Sequence, residues 1–164
     1  MAKTYFLRFL LAGQEDDLIC EVRKPESDRL EKILEGEYWA NRRFWFDTID
    51  GRSVLVNLKH LQGVRFLWNA APRAPDSRID PEEPMKIVLV GNKVISEPPP
   101  EDAKDLYTLF WELELGNDEV VTFMDVDGEL FSLVPDQIVY LSAPKEVVDE
   151  GRREADEEDG GLEA

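Results

Sequence analysis

The hydrophobic positions of this chain fall in short runs suited to strands and single helices, and the whole series of runs occurs twice. Residues 3–11, KTYFLRFLL, are aliphatic and aromatic nearly throughout and predict a strand. Leu18, Cys20 and Val22 alternate with Ile19, Glu21 and Arg23, which predicts the second strand of a hairpin around the Gly13 loop. Ser27 is placed to cap a helix in which Leu30, Ile33 and Leu34 form the buried stripe and Gly36 the end. Residues 38–49 make a long aromatic strand candidate. Asp50-Gly51 predicts a two-residue type I′ turn, whose central residues both need positive φ. Val54, Val56 and Leu58 share one face of the returning strand, and residues 63–68 close a β-β-α-β-β-β unit.

The same order follows residues 70–84, whose four prolines deny that segment a sheet role and mark it as a linker. A strand over 85–90, the Gly91-Asn92 turn, a return over 93–96 and a helix carrying Leu106, Leu109 and Phe110 come first. A hairpin around Asp127-Gly128 and a closing strand over 138–141 complete the second series. Phe46, Asp50-Gly51, Val54 and Val56 lie 77 positions before Phe123, Asp127-Gly128, Phe131 and Leu133. The helix stripes are 76 positions apart, and residues 64–67 align with 138–141 after a three-residue contraction. A fixed offset through several elements is the mark of an internal duplication.

The expected fold is therefore α+β, a tandem duplication with units at 1–69 and 85–144. One helix per unit leaves a sheet face uncovered, and Phe44, Trp45, Phe46 and Ile49 put apolar groups on both faces of one strand. An uncovered apolar face must meet something, so the two units are expected to pack as a pseudo-two-fold body. Residues 145–164 are highly charged, poor in apolar residues and interrupted by Gly151, Gly160 and Gly161, which predicts a disordered acidic tail or at most one fraying helix.

Charge separates the two units. The total is −17, of which residues 1–69 contribute nothing, 85–144 contribute −9 and 145–164 contribute −6. Such acidity keeps proteins apart in solution, and it also favours a basic partner. No apolar run is long enough to span a bilayer, and Arg8 interrupts the only stretch resembling a leader, so a cytoplasmic protein without a membrane partner is expected. A single cysteine, Cys20, excludes an intrachain disulfide and suits a reducing compartment.

Catalytic signatures are sparse. One histidine, His60, and one cysteine cannot furnish a zinc site, no nucleophile elbow accompanies His60, and residues 90–93 lack the spacing of a phosphate loop. Residues 125–129, DVDGE, match part of a calcium-binding loop, but Phe123 and Val134 stand where it needs acids. Asp127-Gly128, like Asp50-Gly51, is read as a hairpin turn, and no metal or cofactor is expected. Arg42, Arg43 and Trp45 could grip a single-stranded nucleic acid by charge and stacking. The competing reading packs Trp45 on the other unit, with the arginines against its carboxylates. Residues 53–57 with Leu61-Gln62-Gly63 resemble a motif of the bacterial Sm-like RNA chaperones, but residues 68–72 depart from that family's second motif and the internal repeat accounts for the same positions.

The functional expectation is a non-enzymatic protein-interaction module, an adaptor or regulator. It would dock onto a protein or onto itself through Trp39, Arg42, Arg43, Trp45 and Trp111. RNA or single-stranded DNA binding through the first unit is the alternative, and an acidic mimic of nucleic acid the third reading.

Overall fold

The computed structural model describes residues 4–68, 83–116, 119–124 and 127–162. Among them the chain is a mixed α+β protein with three α-helices and ten strands in three antiparallel sheets. Strands β1 (Tyr5–Leu11) and β2 (Leu18–Val22) form the expected hairpin, helix α1 (Lys24–Leu34) follows, and β3 (Arg43–Asp47) and β4 (Arg52–Asn57) form the next hairpin before β5 (Leu61–Trp68). The second series runs β6 (Met85–Leu89), β7 (Lys93–Glu97), α2 (Ala103–Glu114), β8 (Val121–Met124), β9 (Leu130–Leu133), β10 (Ile138–Pro144) and a third helix, α3 (Lys145–Leu162). The linker assigned to residues 70–84 lies outside the described residues, apart from Glu83 and Pro84.

The sheets do not divide where the sequence does. One sheet has the order β2-β1-β5, a second β3-β4-β10-β6-β7, and the third is the hairpin β8-β9. The β3-β4 hairpin joins strands from the second half of the chain: β4 pairs with β10, Val56 opposite Tyr140 and Val54 opposite Ser142. Asn57 tightens the junction by donating from Nδ2 to the Ile138 carbonyl at 3.0 Å. The five-stranded sheet therefore lies in the middle of the molecule, and every residue of β4 is buried. Alternation sends Phe44, Phe46, Val54 and Val56 to one face, where they pack with β1, β2 and Leu30 of α1. It sends Trp45 and Leu55 to the other face, where they pack with α2, β8, β9 and Val148 of α3. Each fully buried large apolar side chain contributes about 1.5–3 kcal/mol of transfer free energy, so the residues of β3 and β4 bind both halves together.

The ladders of the two halves share their registers. Phe44 opposite Val56 and Phe46 opposite Val54 in β3-β4 correspond, 77 positions on, to Val121 opposite Leu133 and Phe123 opposite Phe131 in β8-β9. Leu10 faces Gly63, and Val88 faces Tyr140. Both ladders then break register at the same step, before Leu11–Leu61 in one and Leu89–Ile138 in the other. The Ala12 amide donates to the His60 carbonyl at 2.9 Å, and the Val90 amide to the Gln137 carbonyl at 2.8 Å. The offset of 77 thus runs unbroken into β5 and β10, and the three-residue contraction is not needed.

Several local expectations are corrected. Helix α1 begins at Lys24, with Pro25 in its first turn, so Ser27 lies inside the helix and is not its cap. A 3-10 turn over Trp39–Asn41 interrupts the long aromatic strand. The β3-β4 connection is a three-residue loop: Thr48 pairs with Arg52 through a 2.8 Å hydrogen bond, and only Gly51 (φ 91°) has positive φ, not Asp50. That is a type I turn closed by a glycine in the left-handed region, which leaves Asp50 unstrained. Gly128 likewise has positive φ (80°).

The largest correction concerns residues 145–162: where the sequence predicts a disordered tail or at most one fraying helix, the structure has a helix, α3, docked on α2. Composition misleads there because few groups do the docking. Val148 is buried and Val147 half-buried against α2. Gly151 lets the two helices touch, since a Cβ there would sit 2.1 Å from the Ala103 carbonyl oxygen. The Arg152 guanidinium lies 5.1 Å from the Trp45 ring centroid and 5.5 Å from that of Tyr107. Lys104 of α2 is salt-bridged to Glu158 of α3.

Candidate docking surface

The side chains singled out in the first unit do not share an open face. Arg42 is exposed, but Arg43 is buried and donates to the Leu113 carbonyl at 3.1 Å, with Asp136 Oδ1 3.9 Å away. Trp45 is only 9% exposed; its ring centroid lies 5.4 Å from that of Phe110 and 6.1 Å from that of Tyr107. The packing alternative therefore describes this strand, because pairing β4 with β10 carries the outer face of β3 beneath α2. Trp39 packs half-buried at the rim of the first cluster, and Trp111, 47% exposed on α2, is the one candidate tryptophan facing solvent among the described residues. Asp50 and Gly51 shape the β3-β4 loop, and Asp127 and Gly128 the β8-β9 loop.

Groups with reactive chemistry are spent on structure. Cys20 is buried in the first cluster. His60 Nε2 lies 2.8 Å from the Asp136 carbonyl oxygen, across the two halves. A cleft of about 430 Å³ at the tip of β3-β4 is lined by Arg23, Glu26, Asp47, Thr48 and Lys145 among others. Its carboxylates and its lysine are paired off: Glu26 accepts from Arg29 at 3.0 Å, Asp47 from the Ser53 hydroxyl at 2.7 Å, and Lys145 donates to Asp149 at 2.6 Å. The hydrogen bond to Asp149 holds the Lys145 ammonium above its usual pKa. Burial pushes the Glu114 carboxyl upward against the opposing pull of Arg29, Arg42 and Arg152. Asp125 of the calcium-loop fragment lies outside the described residues; among the described residues no group of three His, Cys, Asp or Glu side chains is arranged to hold a metal ion. No described helix is long and apolar enough to cross a membrane.

The open surface lies on the β8-β9 hairpin. Phe123, Phe131 and Leu133 face inward to α2, while Thr122 and Ser132, hydroxyl to hydroxyl at 2.7 Å, face outward. Around that pair stand Val120, Met124, Leu130 and Val134, between 49% and 73% exposed. Beside them a shallow groove of about 260 Å³ runs between β9 and the β6-β7 turn, floored by Leu89, Phe131 and Leu133. Exposed Val90, at the rim of that groove, extends the apolar surface. Contiguous exposed apolar surface of this kind marks interaction sites.

Sequence reasoning missed this surface, although the signal was present. At the shared offset, Thr122 stands where Trp45 stands and Ser132 where Leu55 stands. The buried hairpin carries two large apolar groups outward, and the exposed one carries two hydroxyls. No protein-family model, curated protein or solved structure matches the chain.

Proposed function

We propose that this chain is a non-enzymatic protein-interaction module, built by duplication of one β-β-α-β-β-β unit, that docks through the outer face of β8-β9. The observation that carries this reading is the contrast between equivalent surfaces. The outer face of β3-β4 is covered by α2 and its edge by β10, while the outer face of β8-β9 is open with four large apolar side chains on it. The registers shared by the two halves support the duplication. The acidity of the second half gives such a module an electrostatic preference for a partner with a basic rim.

Nucleic-acid binding through Arg42, Arg43 and Trp45 is not favoured, since Trp45 has no open ring face on which a base could stack. The test of the docking reading is a capture experiment with the full chain and with Met124→Lys/Leu130→Lys, both substitutions lying on exposed side chains. The wild-type chain is expected to retain a stoichiometric protein, either another chain or itself, that the double variant loses while keeping its circular dichroism spectrum. Equal retention by both would refute the assignment of the surface.

A further inference from the structure

Two strand edges are left open among the described residues, and they belong to equivalent places in the two halves. Strand β5 pairs with β1 on one side, and no described strand pairs with its other side. Strand β9 pairs with β8 on one side, and again no described strand takes the other. Their counterparts are β10 and β4, and these two pair with each other. Among the described residues the protein thus makes one of two equivalent strand pairings and leaves the components of the second unpaired. Open edges offer rows of backbone donors and acceptors and are templates for another strand.

We infer that a second copy of this chain supplies the missing pairing, β9 of each copy adding to β5 of the other. The inference rests on the docking surface proposed above and names its occupant. Joining β8-β9 to β2-β1-β5 gives a sheet of order β8-β9-β5-β1-β2, which is the order already present as β3-β4-β10-β6-β7. Within one chain the two edges belong to layers on opposite faces of the central sheet. β1 and β2, with β5 beside them, pack against Val54 and Val56, while β8 and β9 pack in the cluster that contains Leu55. Between two chains one two-fold axis satisfies both β5 edges and both β9 edges at once, which closes the assembly as a dimer.

The pairing has a defined register. Moving the observed partners Tyr140–Val56, Leu141–Leu55, Ser142–Val54 and Ala143–Ser53 by the offset of 77 sets Gly63 opposite Leu133, Val64 opposite Ser132, Arg65 opposite Phe131 and Phe66 opposite Leu130 of the second copy. Leu130, the most exposed large apolar side chain of the hairpin at 73%, then meets the half-buried Phe66. A one-residue slip would turn Leu130 to the other face and lose that pair.

Cysteine pairing in the full chain tests the register. Directly opposed residues in an antiparallel ladder have Cα atoms within disulfide reach. Oxidised Val64→Cys/Ser132→Cys is expected to run on a non-reducing gel at twice the 18.9 kDa chain mass, and Val64→Cys/Thr122→Cys to remain at the single-chain mass. In sedimentation the wild-type chain is expected to be a dimer and Leu130→Lys a monomer of unchanged circular dichroism. A monomeric wild type, a disulfide between positions 64 and 132 closed within one chain, or a dimer that the Ser132→Cys single variant links as efficiently would each overturn the inference. A monomer that still captures a different protein in a Leu130-dependent manner would leave the docking surface standing and remove only the self-pairing.

Discussion

Replacing Gly151 by alanine sets two physical rules against each other. In a solvent-exposed helix interior, Gly→Ala stabilises by about 1 kcal/mol, because alanine loses less backbone entropy. At Gly151 the added Cβ would lie 2.1 Å from the Ala103 carbonyl oxygen, 2.7 Å from its carbon and 2.9 Å from Tyr107 Cβ. The two nearest atoms are backbone at the start of α2 and cannot swing aside, so α3 must shift. Overpacking of this kind costs about 1–3 kcal/mol. Full undocking of α3 would also expose Val148, worth about 1.5–3 kcal/mol, and unstack Arg152 from Trp45, worth about 0.5–2 kcal/mol. The overlap is with backbone, which puts the cost at the upper end of that range, so against the propensity gain Gly151→Ala is expected to lose about 1–2 kcal/mol. In urea unfolding followed by tryptophan fluorescence, with a slope of about 2 kcal/mol per molar, the midpoint should fall by roughly 0.5–1 M. Glu150→Ala, one residue away and exposed, should stay within about 0.5 kcal/mol of wild type. A Gly151→Ala protein as stable as wild type, or more so, would mean that α3 does not lie on α2 and that the composition of the tail is the better guide.

Trp45→Ala should cost about 3–5 kcal/mol in the same assay, the range for emptying a buried aromatic site, and a loss below about 1 kcal/mol would contradict the packing of Trp45 beneath α2. Arg52 is fully buried, with Nε donating to Ser142 Oγ at 3.1 Å and the two terminal nitrogens to the carbonyls of Glu83 and Pro84. Lysine cannot reproduce that fork, so Arg52→Lys should lose about 3 kcal/mol in chemical denaturation, and an unchanged midpoint would refute the role of the fork. Burial raises the Tyr140 hydroxyl above its ordinary 10.0, against the opposing pull of Lys86, so the native state holds that proton longer than the unfolded state does. The stability it adds is whole below the ordinary value and is lost as pH rises through the raised one, so Tyr140→Phe should flatten the alkaline decline of Tm; parallel declines in the two proteins would count against it.

Periodicity is a local property, and the local elements were legible for that reason. The alternation in 18–23, the helical stripe of Leu106, Leu109 and Phe110, and the Asp-Gly hairpins all correspond to elements of the structure. What escaped was long-range choice. Nothing within β4 states that it pairs with β10, since that preference depends on Trp45 and Leu55 finding α2 across the sequence. The proposed docking face was hidden by the same averaging: a repeat in sequence is noticed through the positions that agree, while Thr122 and Ser132 matter by differing from Trp45 and Leu55. Helix α3 was misread because glycine lowers helix propensity in general, whereas Gly151 permits a particular helix contact.

The pairing of β4 with β10 also has a consequence in time. Asn57 and Ile138, joined by a side-chain hydrogen bond, are 81 residues apart in sequence. At about 5–20 residues per second, a ribosome needs roughly 4–16 s to supply the second after the first. Until α2 has been made the nascent β3-β4 hairpin carries Trp45 and Leu55 on a face with no helix over it, and throughout the interval its β4 edge has no strand beside it. Chains stalled before Ile138 would therefore present a sticky hairpin to chaperones and to one another. It is β10, made long after β3 and β4, that closes the open edge of the first half.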